Sequence, residues 1–258
     1  MTSEILDKLK WRYACKKFDA SKKLSEEKLT VLKQAFNLTA TSYGLQPLKM
    51  LVISNQDLKD KLVPLTMNQK QVADCSQVLV LCTETQISSS YIKKYFDSVA
   101  SLRKTPREVL QPFESFLTDE FSQKDPSHIN TWMAKQAYLA LGNLLTVCAL
   151  EDIDACPIEG FEPKEYDRFL NLTEKGLQSV LVLAVGYRAA DDAFPAPDTR
   201  NLTGFLSGSP ELPDDLRALP TGFHELPTPD HFSVVHVSEQ GGERLTLIFE
   251  GEQVRSLA

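Results

Sequence analysis

The chain has 258 residues and a formal net charge of −7, with 24% charged and 42% hydrophobic residues, a balance that suits a globular protein burying a large core in one or two domains. The acidic balance, and the lack of a basic run interleaved with aromatics, argues against a nucleic-acid surface. Five cysteines at 15, 75, 82, 148 and 156 have no short paired spacing, and the N-terminus lacks the apolar run of a signal peptide; both point to reduced thiols and a cytoplasmic protein without a membrane span or a zinc site.

In chain order, residues 2–10 read as a short amphipathic helix with Ile5, Leu6 and Leu9 on one side. The stretch Arg12-Tyr-Ala-Cys-Lys-Lys-Phe-Asp19 places three cations within six residues. It reads either as a solvated basic turn or as a phosphate anchor, since Arg offers a bidentate fork and Lys a point charge. Ser25-Glu-Glu-Lys opens a second helix over about 25–37, with Ser25 or its neighbour as N-cap. A turn-rich segment, Ala40–Pro47, with small hydroxyls and Gly44, runs into a strand at Lys49–Ser54. Residues 56–65 read as helix, and Asn68-Gln-Lys-Gln71 precedes a strand at Gln77–Thr83 whose unbroken apolar run predicts burial on both faces. Residues 88–124 read as helical and polar, and Phe113, Phe116 and Phe121 within them are assigned to the core.

Asp125-Pro-Ser-His breaks the chain before a long helix, with Ser127 as its expected N-cap. From Ala137 to Leu150 only Gly142, Asn143 and Thr146 interrupt the apolar residues. A helix apolar on nearly every side is buried on nearly every side; this one is too short to cross a bilayer, which needs about 20 apolar residues, so it belongs in a core or a subunit interface. Cys156-Pro-Ile-Glu-Gly160 reads as a loop, either an ordinary connection, which the residues alone favour, or one that turns backbone N–H groups toward a ligand. A short helix at Glu162–Leu170 and a second buried strand at Gln178–Tyr187 follow. His128 is the single histidine before residue 195, which argues against a histidine-based catalytic triad in that part.

Composition shifts near residue 195. Residues 195–258 contain no Lys or Cys, hold four Arg against ten acidic residues, and carry seven of the fourteen Pro. This segment reads as an appended module, and Phe232–Ser238 with Glu243–Glu250 alternate about Glu239-Gln-Gly-Gly242 as a hairpin. His224, His231 and His236 within it are read as solvated rather than as metal ligands. Pattern alone gives mixed α and β around a buried sheet and no chemistry.

Four segments taken in order resemble the FMN-dependent nitroreductase family, in particular its oxygen-insensitive NAD(P)H nitroreductase and flavin reductase branch. They are Arg12–Leu24, Thr41–Pro47, Asn68–Gln71, and Trp132-Met-Ala-Lys-Gln136 through Pro157-Ile-Glu-Gly-Phe161. The resemblance covers about residues 3–194, leaving 195–258 as an extension. It implies an α+β fold in which helices wrap a central antiparallel sheet, and an intertwined homodimer with two FMN sites. By position in the family's motifs, Arg12, Tyr13, Ala14 and Lys16 hold FMN, Arg12 on the phosphate and Lys16 at the N1/O2 edge. Asn68 and Gln71 bond the pyrimidine side, and Pro157, Ile158, Glu159 and Gly160 line the ring with the Glu159 N–H toward N5. Thr41, Ser42 and Gly44 reach the flavin from the other subunit. The implied activity is hydride transfer from NAD(P)H to FMN and then, ping-pong, to a small flat aromatic acceptor: a nitroaromatic, a quinone or a free flavin.

Two departures stand out. Relatives commonly place a second cation opposite Lys16 where this chain has Gln71, and the family's Pro-Lys-x-Arg run near the end is replaced by Pro197-Asp-Thr-Arg200, with Asp198 in place of the Lys: either Arg200 serves the phosphate with Asp198 turned away, or the match is accidental. These leave two alternatives beside the oxidoreductase: a specialised reductase or dehalogenase of the same family, and a non-catalytic flavin- or partner-binding protein.

Overall fold

The computed structural model describes residues 4–192 and, beyond them, the strand backbones 235–240, 243–250 and 253–257. The chain divides into two compact units, Met1–Pro195 and Ala196–Ala258.

The first unit is built on a four-stranded, wholly antiparallel sheet of order β1-β2-β4-β3, from β1 (Leu48–Ile53), β2 (Gln77–Glu84), β3 (Asp154–Ile158) and β4 (Leu177–Gly186). The two continuous apolar runs occupy its centre, as burial on both faces requires. Val78, Val80, Cys82, Val182 and Ala184 turn to one core, and Leu79, Leu81, Leu181, Leu183 and Val185 to the other. That division is the period of two along each strand. Helices α1 (Glu4–Trp11), α2 (Glu26–Asn37), α3 (Gln56–Leu62), α4 (Gln71–Asp74), α5 (Ser89–Arg103), α6 (Arg107–Gln123), α7 (Pro126–Leu150) and α8 (Pro163–Phe169) surround it. The α+β architecture inferred from the resemblance is the one observed. Ser25 caps α2, its hydroxyl accepting from the Lys28 N–H at 3.2 Å.

Several local expectations are corrected. The cap of α7 is Asp125 rather than Ser127, because a carboxylate one residue before Pro126 reaches the Ser127 N–H at 2.8 Å while proline starts the first turn without needing a donor. Residues 88–124 form two helices, divided where Lys104 adopts a left-handed φ of 55° and Pro106 cannot continue the helix. Phe121 is 4% exposed and belongs to the core, whereas Phe113 and Phe116 are 44% and 52% exposed and stack on one another on the surface of α6. Residues 156–158, expected in a loop, form the second half of β3; Pro157 is tolerated there because β3 is an edge strand.

In the single chain α7 is not buried all round. A stripe including Ala137, Ala140, Leu144 and Cys148 packs on the sheet and Met133 packs with Phe96, Leu117 and Phe121 of α5 and α6, while Tyr138, Leu139 and Leu150 are 47%, 54% and 42% exposed. On that outward face a Cβ added at Gly142 would meet nothing within 4 Å.

In the second unit, strands β5 (Val235–Gln240), β6 (Glu243–Glu250) and β7 (Gln253–Leu257) form an antiparallel sheet in that order; β7 has no counterpart in the sequence reading. Arg200, Asp198, His224 and His231 lie outside the described residues, and His236 is described only as strand backbone.

Candidate active site

Three of the four motif segments meet at the outer side of β3. The Arg12–Asp19 segment is joined to the sheet at both ends. Ala14 bridges Ala155 in parallel, the Cys15 N–H donates to the Ala155 carbonyl at 3.1 Å, and the Asp19 N–H donates to the Tyr187 carbonyl at 2.8 Å. The residues flanking Lys16 are therefore fixed beside Cys156 and Pro157. The Lys16 side chain itself is exposed and, among the described residues, takes part in no salt bridge. Burial pushes the Cys156 thiol above its ordinary pKa, and the Lys16 charge, felt at that thiol, acts in the opposite direction. The neighbouring Lys17 ammonium is paired with Asp191. Arg12 is half-buried, and its charge is felt by the Cys148 thiol of α7.

The Asn68–Gln71 segment reaches the same edge by a different device. Met67 and Asn68 both adopt left-handed backbone, φ 51° and 58°, turning the chain sharply before Gln71 opens α4. Between them and α4, the Gln69 amide donates to the Gly160 carbonyl at 2.8 Å, and just before them the Leu65 carbonyl accepts from the Glu162 N–H at 2.8 Å. A Cβ at Gly160 would come within 3.2 Å of both Gln69 Nε2 and Met67 Sδ, so the missing side chain allows this close approach. Glu159 is exposed, and its Oε1 accepts from the Tyr138 hydroxyl of α7 at 2.6 Å. That bond, ahead of burial, pushes the Tyr138 hydroxyl to a pKa of about 12.

Thr41, Ser42 and Gly44 lie elsewhere. Their turn is anchored to the buried side of α7, where Gln136 Oε1 accepts from the Ser42 N–H at 2.8 Å. Tyr43, Gly44 and Gln46 all have positive φ, and a Cβ at Gly44 would lie 2.8 Å from the Tyr95 hydroxyl. The turn contributes Thr41 to the rim of a groove of about 500 Å³ between α2 and β1, which otherwise takes none of the predicted residues. Gln136 and Tyr138 are two residues apart on α7, about 200° around a helix of 3.6 residues per turn. The Thr41–Gly44 turn and Glu159 are therefore tied to opposite sides of α7.

Sequence reasoning missed the residues that hold these segments. Arg188 stacks between the rings of Trp11 and Tyr13, 4.3 and 4.5 Å from their centroids, and bonds the buried Asp154. Gln69, Gln136 and Tyr138 each tie one predicted segment to a neighbour. Asp192 gathers donors from the Arg12–Asp19 segment. Gln69, Gln136 and Tyr138 lie inside or between the recognised motifs, but nothing in their spacing distinguishes them.

An antiparallel sheet wrapped by helices, with the Lys16 side chain exposed beside its edge strand, defines the class: an α+β protein. The nitroreductase family model matches residues 9–187. YfkO, a presumed NAD(P)H nitroreductase of Bacillus subtilis (strain 168), is 32% identical over 216 residues, 78% of this chain and 95% of its own. The major NAD(P)H-flavin oxidoreductase of Aliivibrio fischeri is 32% identical over 206 residues, 76% of this chain and 93% of its own. The crystal structure of a presumed nitroreductase from Exiguobacterium sibiricum 255-15 in complex with FMN shares the fold, with a TM-score of 0.66 at 22% identity over 76% of this chain and 93% of that one. The chain belongs to the nitroreductase family, and it is an oxidoreductase.

Proposed function

We propose that the protein is a homodimeric FMN-dependent enzyme that takes hydride from NAD(P)H and reduces a flat aromatic acceptor, nitroaromatic, quinone or flavin, by ping-pong turnover. The observation that carries the reading is the convergence of Arg12–Lys16, Asn68–Gln71 and Pro157–Gly160 on the edge strand β3, with the Lys16 ammonium exposed beside it. The donor set fits the cofactor: guanidinium and ammonium for a phosphate and an electron-rich ring edge, and two side-chain amides for ring carbonyls. At Gly160, where the two loops meet, an added Cβ would crowd the Gln69 and Met67 side chains at 3.2 Å.

FMN, when bound, would supply the two-electron chemistry between nicotinamide and acceptor. The chain's part is electrostatic and positional. Lys16 stabilises negative charge at the ring's pyrimidine edge, as fixed cations do in sites where charge develops. Gln71, neutral where relatives carry a cation, bonds the same edge with less charge. Glu159 is held by Tyr138, which fixes the backbone beside it. Arg12 takes the phosphate.

The dimer rests on two arguments. The outward face of α7 and the adjoining α1 present Ile5, Leu6, Tyr138, Leu139 and Leu150 to solvent, an apolar patch suited to a second copy. Thr41, Ser42 and Gly44 are tied to the side of α7 opposite Glu159, so a site using both takes them from two subunits. Residues 195–258 are an appended module. Initial rates with NADPH and a soluble quinone as varied substrates test the proposal: parallel double-reciprocal lines are expected, and intersecting lines would exclude one shared site used in turn.

A further inference from the structure

We infer that Asp192 is the residue that positions Lys16. The inference rests on the reading of Lys16 as the cation at the flavin edge, and it concerns how an exposed, flexible side chain is made to start from a fixed point. Asp192 is 9% exposed, and its Oδ2 alone receives four donors: the Tyr13 hydroxyl at 3.0 Å, the Lys16 N–H at 3.1 Å, the Lys17 N–H at 3.2 Å and the Cys15 thiol at 3.4 Å. Two of these are the backbone amides on either side of the Lys16 Cα. The Lys17 carbonyl accepts from the Ala189 N–H at 2.9 Å, closing the far side, and the Cys15 N–H is held by Ala155. The backbone through Lys16 is thus bonded at each step to β3 or to the chain just after β4, and Asp192 supplies the bonds at its centre.

The adjacent acid does the complementary job. Asp191 pairs with the Lys17 ammonium, so of two consecutive lysines one is occupied, while the other, exposed, forms no salt bridge among the described residues. The Asp192 carboxylate is turned to backbone N–H groups and not to the Lys16 ammonium, so it orients the residue without neutralising it. A carboxylate receiving several N–H and O–H donors is a stiff anchor, since hydrogen bonds to a charged acceptor are about twice as strong as neutral ones.

The test compares the full-length holoprotein with Asp192→Asn, Lys16→Met and the double variant. Asp192→Asn removes the negative charge and leaves one neutral amide oxygen for the four donors, so the charge-assisted strength of these bonds is lost. The Lys16 and Lys17 amides then lose hydrogen-exchange protection, FMN binds about tenfold more weakly, and reduction of bound FMN by NADPH slows. Because Asp192 acts through Lys16, the double variant reduces its flavin within about twofold of Lys16→Met alone, whereas independent structural damage would multiply the two losses. Multiplied losses, or intact protection together with wild-type FMN affinity in Asp192→Asn, would overturn the inference. Lost protection with unchanged reduction kinetics would overturn it too. Wild-type protein that binds no FMN would overturn the cofactor reading and this inference with it, an outcome distinct from the others because it precedes any substitution. If Asp192→Asn does not fold, Asp192→Glu, which keeps the charge but displaces the oxygen, is expected to give the same pattern at smaller amplitude, and wild-type behaviour in it would show that the placement is unimportant.

Discussion

Replacing Asp154 by alanine tests how the cationic segment is held to the sheet. Asp154 is 4% exposed at the start of β3. Its Oδ2 accepts from the Arg188 N–H at 2.8 Å, and its Oδ1 accepts from Arg188 Nε at 2.6 Å and lies 2.5 Å from Nη2. The guanidinium it orients is the plate between Trp11 and Tyr13. Removing one partner of a buried pair costs about 3–5 kcal/mol, because a charge is left without compensation. Here the Arg188 side chain retains 27% of its exposure, so water recovers part of that, and about 2–3 kcal/mol is expected. For a chain of this size each kcal/mol moves the melting temperature by roughly 2–4 °C, which gives a drop of about 5–10 °C. Thermal melts followed by circular dichroism read it directly. The double variant Asp154→Ala/Arg188→Met should be less damaged than the sum of its single variants, since no unpaired charge remains. A single variant within about 2 °C of wild type, or strictly additive losses, would refute the argument that this pair fastens the segment.

Other outcomes follow from the same structure. Gly44→Ala must place a Cβ at φ +68° and 2.8 Å from the Tyr95 hydroxyl; a loss of about 1–2 kcal/mol is expected, partly restored in urea titrations by adding Tyr95→Phe. Lys16→Ala should slow flavin reduction roughly 10–100-fold, the value of one charged donor, while weakening FMN binding less, as stopped-flow and equilibrium titration would separate. Burial alone would raise the Asp192 carboxyl, but the N–H donors of Lys17 and Lys16, the Tyr13 hydroxyl and the Cys15 thiol outweigh it and hold it below the ordinary 3.8. Its contribution to stability is therefore complete above that pH and lost as pH falls through the lower folded value, so wild type and Asp192→Asn should differ in urea midpoint near neutrality and converge in strong acid. A chain ending at Arg200 should remain dimeric and yellow if residues 195–258 are an appended module; loss of flavin would make them part of the site.

The elements that sequence reading located are those whose signal is local. The continuous apolar runs gave β2 and β4, and Ser25 with its following acids gave the start of α2. The misreadings arose where distant partners decide. Cys156-Pro-Ile158 contains the loop-forming residues of a turn, yet it pairs with Val182–Ala184, a strand that the local chain cannot announce. Ser127 and Asp125 were both adequate caps, and the fixed φ of Pro126 at the first turn decided between them. Resemblance supplied the motif residues, but not the residues that hold them: Asp192 acts on residues 175 to 179 positions earlier, and Gln69 on Gly160 across 91. Such contacts exist only once the sheet has formed.

The central claim is that the surface at β3 holds FMN and that Lys16 serves the reduction. The most direct measurement is the visible spectrum of the purified protein, reconstituted with FMN and then mixed anaerobically with NADH or NADPH. The account predicts bound flavin whose visible absorbance is bleached by one equivalent of nucleotide, with the oxidised spectrum restored by a quinone. A protein that retains no FMN, or one that holds it and stays yellow with both nucleotides, would contradict it.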